Sequence, residues 1–194
     1  GWGMFHEDRI SVDDPGGREP TEYEKSDVSV TLGHAFGSIL VEFGGSYSGY
    51  DYEDVALTNA VSLNNDDRDR DEFDITALAG YTLNPVVMVY VKGGFLAREY
   101  DAQTDDNDFD RDAAGYKVGL GGRFRKGETE SDVYSGIASR DFDNGGFKDI
   151  QDVHVDANFR WRLTPSTRLV ASVTRDFLET TQTGSSVVLE TKGT

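Results

Sequence analysis

Cysteine is absent from the 194 residues, which removes a disulfide framework, a thiolate zinc site and a thiol nucleophile together. Proline is scarce, at four, so no Pro-rich stalk interrupts the chain. Basic residues are few: 19 Lys and Arg stand against 36 Asp and Glu, giving a formal charge of −17 and a pI near 4.4. So acidic a surface repels phosphate backbones, which excludes a generic nucleic-acid binder and predicts no nucleic-acid partner. Long apolar runs are missing too. Apolar residues make up 37% with a mean hydropathy of −0.53, and no stretch approaches the roughly 18 residues a membrane-crossing helix needs. Strands of a membrane barrel alternate apolar and polar side chains, so a low average does not exclude them. The chain opens at Gly1 without an initiator Met or a basic-then-apolar leader, which reads as a processed product or an internal fragment.

Catalytic chemistry is equally thin. Three histidines, His6, His34 and His154, lie far apart with no HExxH spacing. Gly44-Gly45-Ser46-Tyr47-Ser48 puts serine where the second glycine of a nucleophile elbow belongs. No P-loop occurs, and Gly119-Leu120-Gly121-Gly122 sits in a strand pattern with no helix after it, so it reads as curvature or close packing rather than a dinucleotide site. Among so many acids some carboxylate pair always falls at glycosidase spacing, which carries no specificity. The expectation is no catalytic residue and no enzyme.

What the sequence does contain is 22 Gly, 11 Phe and 9 Tyr, set in a period-two alternation that repeats along most of its length. In segment C (about 70 to 82) Phe73, Ile75, Ala77, Ala79 and Tyr81 share one face and polar or small residues the other. Segment A (about 26 to 35) gives Val28, Val30 and Leu32; B (about 38 to 51) gives Ile39, Val41, Phe43 and Tyr47; D (about 86 to 100) gives Val87, Val89, Val91 and Phe95. E (about 112 to 125) gives Tyr116, Val118, Leu120 and Phe124, G (about 152 to 163) gives Val153, Val155, Phe159, Trp161 and Leu163, and H (about 167 to 178) gives Leu169, Ala171 and Val173. F (about 129 to 142) is weaker, with Val133 and Ile137 among serines, which counts against a lipid-facing role for it. Further strands are expected near Trp2 to Val12 and Ser186 to Thr191.

Short turns at Phe36-Gly37, Leu83-Asn84-Pro85, Lys126-Gly127 and Thr164-Pro165-Ser166 fall at one end of these strands. Long polar connections, Asp51 to Asp69, Asp101 to Arg111 and Asp143 to Gln151, fall at the other. Sorting of this kind is what a transmembrane barrel shows, and a soluble sandwich has no reason for it. The sequence therefore predicts an all-β fold: one domain over 1–194, an antiparallel up-and-down meander of 8–10 strands forming a transmembrane β-barrel or part of one. The competing class is a secreted β-protein that self-associates through strand edges into a fibre.

If the apolar rows face lipid, the opposite rows of B to G hold Lys92, Arg98, Lys117, Arg123, Arg125, Arg140, Arg160 and Arg162 against Glu42, Asp74, Glu130, Asp132 and Asp156. The eight bases are candidate lumen and anion-selectivity residues, because rings of Arg and Lys favour anions in pores. With Arg168, Arg123, Arg125, Arg160 and Arg162 should form a basic collar beside the short turns; the alternative is that they neutralise Glu130, Asp132 and Asp156 in a filled barrel. The long loops are acidic, with Asp66, Asp67, Asp69, Asp71 and Glu72 in one and Asp101, Asp105, Asp106, Asp108, Asp110 and Asp112 in the next. Ca²⁺ at Asp106, Asp108 and Asp110 is the one cofactor left open, but the EF-hand glycine and glutamate are lacking, and a solvated loop is the simpler account. Tyr81, Phe124 and Trp161 sit on outward rows near strand ends as girdle residues do, whereas Tyr50, Tyr52, Tyr100 and Phe142 fall on inward rows.

From segment C onward, Asp67-Arg68-Asp69-Arg70-Asp71-Glu72-Phe73, Gly80-Tyr81-Thr82-Leu83-Asn84-Pro85, Arg98-Glu99-Tyr100-Asp101, Asp110 to Tyr116, Ser139 to Asp143 and Leu163 to Leu169, running on to Glu179-Thr180-Thr181, resemble the β-barrel porin type 2 family of bacterial outer-membrane proteins. The resemblance covers roughly residues 65 to 190. Members are about twice this long, so it implies the C-terminal half of a longer barrel, closed by strands not present or by other chains; the ending Lys192-Gly193-Thr194 lacks the aromatic residue usual in such barrels. It further implies an outer-membrane location, lipid as the surrounding partner, a porin-like conduit, and, through links of some members to exopolysaccharide secretion, export of an anionic polysaccharide with export partners.

Overall fold

The computed structural model describes residues 1–6, 20–58, 61–104, 109–143, 148–179 and 187–193. In chain order the strands are β1 (Trp2–His6), β2 (Glu22–Phe36), β3 (Ile39–Tyr52), β4 (Val55–Thr58), β5 (Val61–Leu63), β6 (Arg70–Asn84), β7 (Val87–Tyr100), β8 (Ala113–Lys126), β9 (Thr129–Phe142), β10 (Ile150–Thr164), β11 (Thr167–Glu179) and β12 (Val187–Gly193). One 10-stranded sheet runs β1-β2-β3-β6-β7-β8-β9-β10-β11-β12, with every neighbouring pair antiparallel. The meander is the expected one. β1 and β12 are its two edges and are not hydrogen-bonded to each other, so the sheet is curled but not closed.

Two-residue turns join β2 to β3, β6 to β7, β8 to β9 and β10 to β11. Gly37 and Gly127 take φ of 64° and 56° in the first turn position, the sign that the primed hairpin turns require and that glycine adopts without steric cost. In the β6–β7 turn, the Asn84 side-chain oxygen accepts the backbone N–H groups of Val86 and Val87 at 2.9 and 3.0 Å, an Asx-turn that Pro85 pre-sets. The long connections all fall at the opposite end. One of them, Asp51 to Asp69, is not a plain loop: it folds into the β4–β5 hairpin and a 3₁₀ turn at Asp66–Arg68.

Exposure alternates along the long strands, as in β8, where Tyr116, Val118 and Leu120 are exposed and Ala113 and Gly115 buried. Leu32, Phe43, Ile75, Phe95 and Leu120 each keep more than half their surface exposed. A soluble monomer rarely shows a contiguous apolar patch beyond about 300–600 Å², whereas here the band continues across neighbouring strands through Leu32, Phe43, Ala77, Val118, Ile137 and Val153. On β6 the band runs from Phe73 to Leu83, ten steps of about 3.3 Å; at a barrel tilt of roughly 40° these project to about 25 Å, the height of a lipid-facing belt. β9, the weak segment F, is a full strand within this wall, with Val133 and Ile137 nearly half exposed. Its serines are tolerated because β8 and β10 flank it with larger apolar side chains.

The concave face is crowded, and glycine is what lets it close up. Gly119 and Gly136 are register partners on β8 and β9; a Cβ on either would lie 2.3 or 2.2 Å from a backbone oxygen of the facing strand. At Gly121 the missing Cβ leaves room for the Tyr90 ring. Leu78, Tyr90 and Tyr134, with Leu40 and Met88 against them, make the small apolar core on this inner face.

Candidate conduit lining

Strand parity sends charge to the concave face, and curvature brings together side chains from strands that are not neighbours. Toward the short turns, Arg123 of β8 bonds Asp132 of β9 through Nε at 2.7 Å and reaches Glu42 of β3 at 3.4 Å. The Tyr90 hydroxyl donates to the other Asp132 oxygen at 2.6 Å, and the Arg123 guanidinium sits 5.3 Å from the Tyr90 ring centre. Lys117 of β8 spans to Asp176 of β11, and His154 Nδ1 lies 3.5 Å from the same carboxylate. Lys92 has its ammonium 5.9 Å from the Tyr134 ring centre and shares a cavity of about 330 Å³ with Asp74, Lys117, His154 and Asp156. Half-buried ion pairs with further hydrogen bonds are strong enough to fix geometry, so these side chains line the concave face in fixed positions.

At the long-loop mouth, Arg70 and Arg98 share Glu72, at 3.0 and 3.1 Å. The Arg70 guanidinium lies 4.4, 5.7 and 5.9 Å from the rings of Tyr50, Tyr52 and Tyr100, so the inward tyrosines serve as a cation–π nest. Tyr23 and Tyr52 stack with ring centres 5.0 Å apart. Arg140 is buried, at 2% exposure, on the inner side of β9.

Two loop carboxylates brace this mouth. Asp69 accepts the Tyr52 N–H at 2.7 Å; burial, joined by the neighbouring charges of Asp51, Asp66 and Asp101 and only partly offset by that hydrogen bond, pushes its pKa up to about 6. Asp112 accepts the Tyr100 N–H at 2.7 Å, and burial, with Asp110 and Asp143 nearby, raises it as well. Asp106 and Asp108 lie outside the described residues. Asp110 accepts the Asp112 N–H at 3.0 Å, and no cluster of three metal-ligating side chains occurs among the described residues.

The short-turn mouth holds the arginines expected as a collar, and acids accompany several of them. Arg125 pairs with Glu130 at 3.0 Å and Arg162 with Glu128 at 3.5 Å, while Arg123 is committed to Asp132 and Glu42. Arg160 and Arg168 have no ion pair among the described residues. Arg162 and Arg168 stand directly opposite each other in the β10–β11 register, a like-charge pair. Arg123, Arg125 and Arg160 line a cleft of about 580 Å³ whose other wall is Leu40, Pro85, Val87 and Met88. On the outer face at this end, Tyr81, Phe124 and Trp161 are 53%, 38% and 41% exposed.

The residues sequence parity missed are mostly acids. Glu72 and Asp176 complete the pairs of Arg98 and Lys117; continuing the parity count into the ends of segments C and H would have found both. Tyr90 and Tyr134 carry no charge, and only the fold reveals them as anchors of the lumen network. A family model described as "Putative beta-barrel porin 2" matches residues 1–194, so the similarity takes in the first strands as well as the stretch from residue 65. Comparison with curated proteins and with solved structures gave no match.

Proposed function

We propose, from the premise that the chain belongs to the beta-barrel porin 2 family, that it forms the wall of an outer-membrane conduit that prefers anions and passes an acidic polysaccharide outward. The carrying observation is the alternation itself. Apolar side chains such as Leu32, Ile75 and Leu120 lie bare on one face, while Lys92, Arg98, Lys117, Arg123, Arg125, Arg140, Arg160 and Arg162 stand on the other. Barrel walls in lipid need this arrangement, and lumen cations lower the barrier for anions. Arg123, Arg125, Arg160, Arg162 and Arg168 at the short-turn mouth would concentrate a polyanion there, whereas the acidic loops would disfavour it at the far end. The carboxylates beside these cations moderate the field, so the preference is graded rather than absolute. On this reading residues 1–194 form one barrel domain with β1 and β12 at its edges. Movement along the conduit depends on export partners or a gradient.

Planar-bilayer conductance provides the test. Arg123→Glu with Arg160→Glu should move the reversal potential toward cation preference, and an unchanged reversal potential refutes the role of the arginines. The two free edges also favour a second reading, assembly of copies through strand pairing into a fibre. Release from membranes without detergent would support that reading against the conduit.

A further inference from the structure

The cleft of about 580 Å³ at the short-turn mouth has two unlike walls. Leu40, Pro85 and Met88 supply an apolar side; Arg160 and Asn158 also line the hollow, with the Arg125–Glu130 pair. Its size lies in the range of pockets that bury most of a small organic ligand, about 300–1,000 Å³. Arg160 is the distinctive group. It is exposed; Glu130 stands opposite it in the β9–β10 register but pairs with Arg125, so Arg160 forms no ion pair among the described residues, although its guanidinium carries five donors in a planar fork suited to a carboxylate. Asn158 gives its side-chain N–H to Asp156 at 2.7 Å, which leaves the amide oxygen as an acceptor.

We propose that this cleft is a binding site for a small organic carboxylate with an apolar body, whose carboxylate pairs with Arg160 and whose body lies on Leu40, Pro85 and Met88. A purely inorganic anion would leave the apolar wall wet. A neutral apolar solute would leave Arg160 without a partner. The site goes beyond the conduit reading, since it concerns retention of a solute at the mouth rather than passage through it.

The test is calorimetric titration of the full chain, folded in detergent, with phenylacetate, acetate and benzyl alcohol. Phenylacetate should bind at least about ten-fold more tightly than either of the others, since each lacks one of the two contacts. Arg160→Gln should weaken phenylacetate about ten- to hundred-fold, the worth of a charge-assisted hydrogen bond, and Arg160→Lys should recover part of the loss. Arg160 is exposed, so folding is retained in both variants, which unchanged heat-dependent gel mobility would verify. Equal binding of acetate and phenylacetate, or an Arg160→Gln affinity within two-fold of the parent, overturns the proposal. Conductance in KCl alone reports on the conduit reading separately, so failure of the cleft and failure of the pore are told apart.

Discussion

Replacing Leu120 with arginine examines the orientation of the whole wall. Leu120 is 70% exposed and lies in the cross-strand row of Val41, Ala79, Val91, Ser135 and Val155. On β8 it is four residues from both Tyr116 and Phe124, which at about 3.3 Å per residue and a tilt of roughly 40° puts it about 10 Å from either end of the apolar belt. That is the bilayer midplane. An arginine on the lipid face there costs about 2–4 kcal/mol, and near the interfaces about 0–1. On a solvated surface the same change would stay within about 0.5 kcal/mol. Val28 is 64% exposed and sits in the Tyr47–Phe73 row, at the long-loop rim of the belt, so Val28→Arg is the matched control. Reversible denaturant unfolding in phospholipid vesicles, followed by tryptophan emission, would give both values. The expected difference between the two variants is about 2 kcal/mol or more. Equal stabilities for Leu120→Arg, Val28→Arg and the parent would refute the assignment of this face to hydrocarbon, and with it the inward assignment of the charges.

The long-loop mouth should respond to acid in an unusual direction. Asp69 has its pKa raised to about 6 from an ordinary 3.8, so the folded state holds the proton more tightly than the unfolded chain. Its contribution is fully present below about pH 4 and is lost as the pH rises through 6. A rise from 3.8 to about 6 corresponds to about 3 kcal/mol, which solvent screening of a half-buried carboxyl reduces to about 1 kcal/mol. Asp69→Asn keeps an acceptor for the Tyr52 N–H and should stabilise the mouth by about that amount at pH 7. Amide exchange at Tyr52 measures it, and identical pH 4–7 profiles for variant and parent would falsify the account. Gly119→Val should prevent the curl of β8 against β9, because its side chain would enter the Ser135 carbonyl; loss of heat-modifiable gel mobility is the expected result. Gly122→Val, where a Cβ has its nearest neighbour at 3.6 Å, should leave that mobility intact.

Strand positions were legible because a two-residue period leaves little freedom once one face must be apolar. Segment F and β9 share both bounds, 129 and 142, and segments B, D, E and H agree with β3, β7, β8 and β11 to within a residue at each end. The departures have local causes. β2 begins at Glu22, before segment A, because Tyr23 and Lys25 continue the strand on its inward face, where polar and aromatic residues are allowed. β10 starts at Ile150 because pairing to Arg140 extends the ladder past the apolar belt. The β4–β5 hairpin escaped notice since Val55-Ala56-Leu57-Thr58 is too short for alternation to register. Parity also identified the inward charges, but not their partners. The contacts of Arg123 with Glu42 and of Lys117 with Asp176 cross intervening strands. They depend on curvature, which pairwise register does not encode.

That curvature explains how the concave face holds so many cations without their repelling one another. The net charge is set by loops and rims, in acids such as Asp66, Asp71, Glu99 and Asp101, which face water where ionic screening acts within about 8–10 Å. Inside, screening is weak, and a cation is stabilised by a nearby acid or ring. Arg123 has two carboxylates, Lys117 has Asp176, Arg98 has Glu72, and Lys92 has the Tyr134 ring. Glycines at 115, 119, 121 and 136 draw the inner faces close enough for these partnerships to form. The same glycines therefore serve both the shape of the wall and the electrostatics of its lining. Any substitution that flattens the sheet must also strand the lumen charges, so loss of curvature and loss of ion selectivity should occur together and not separately.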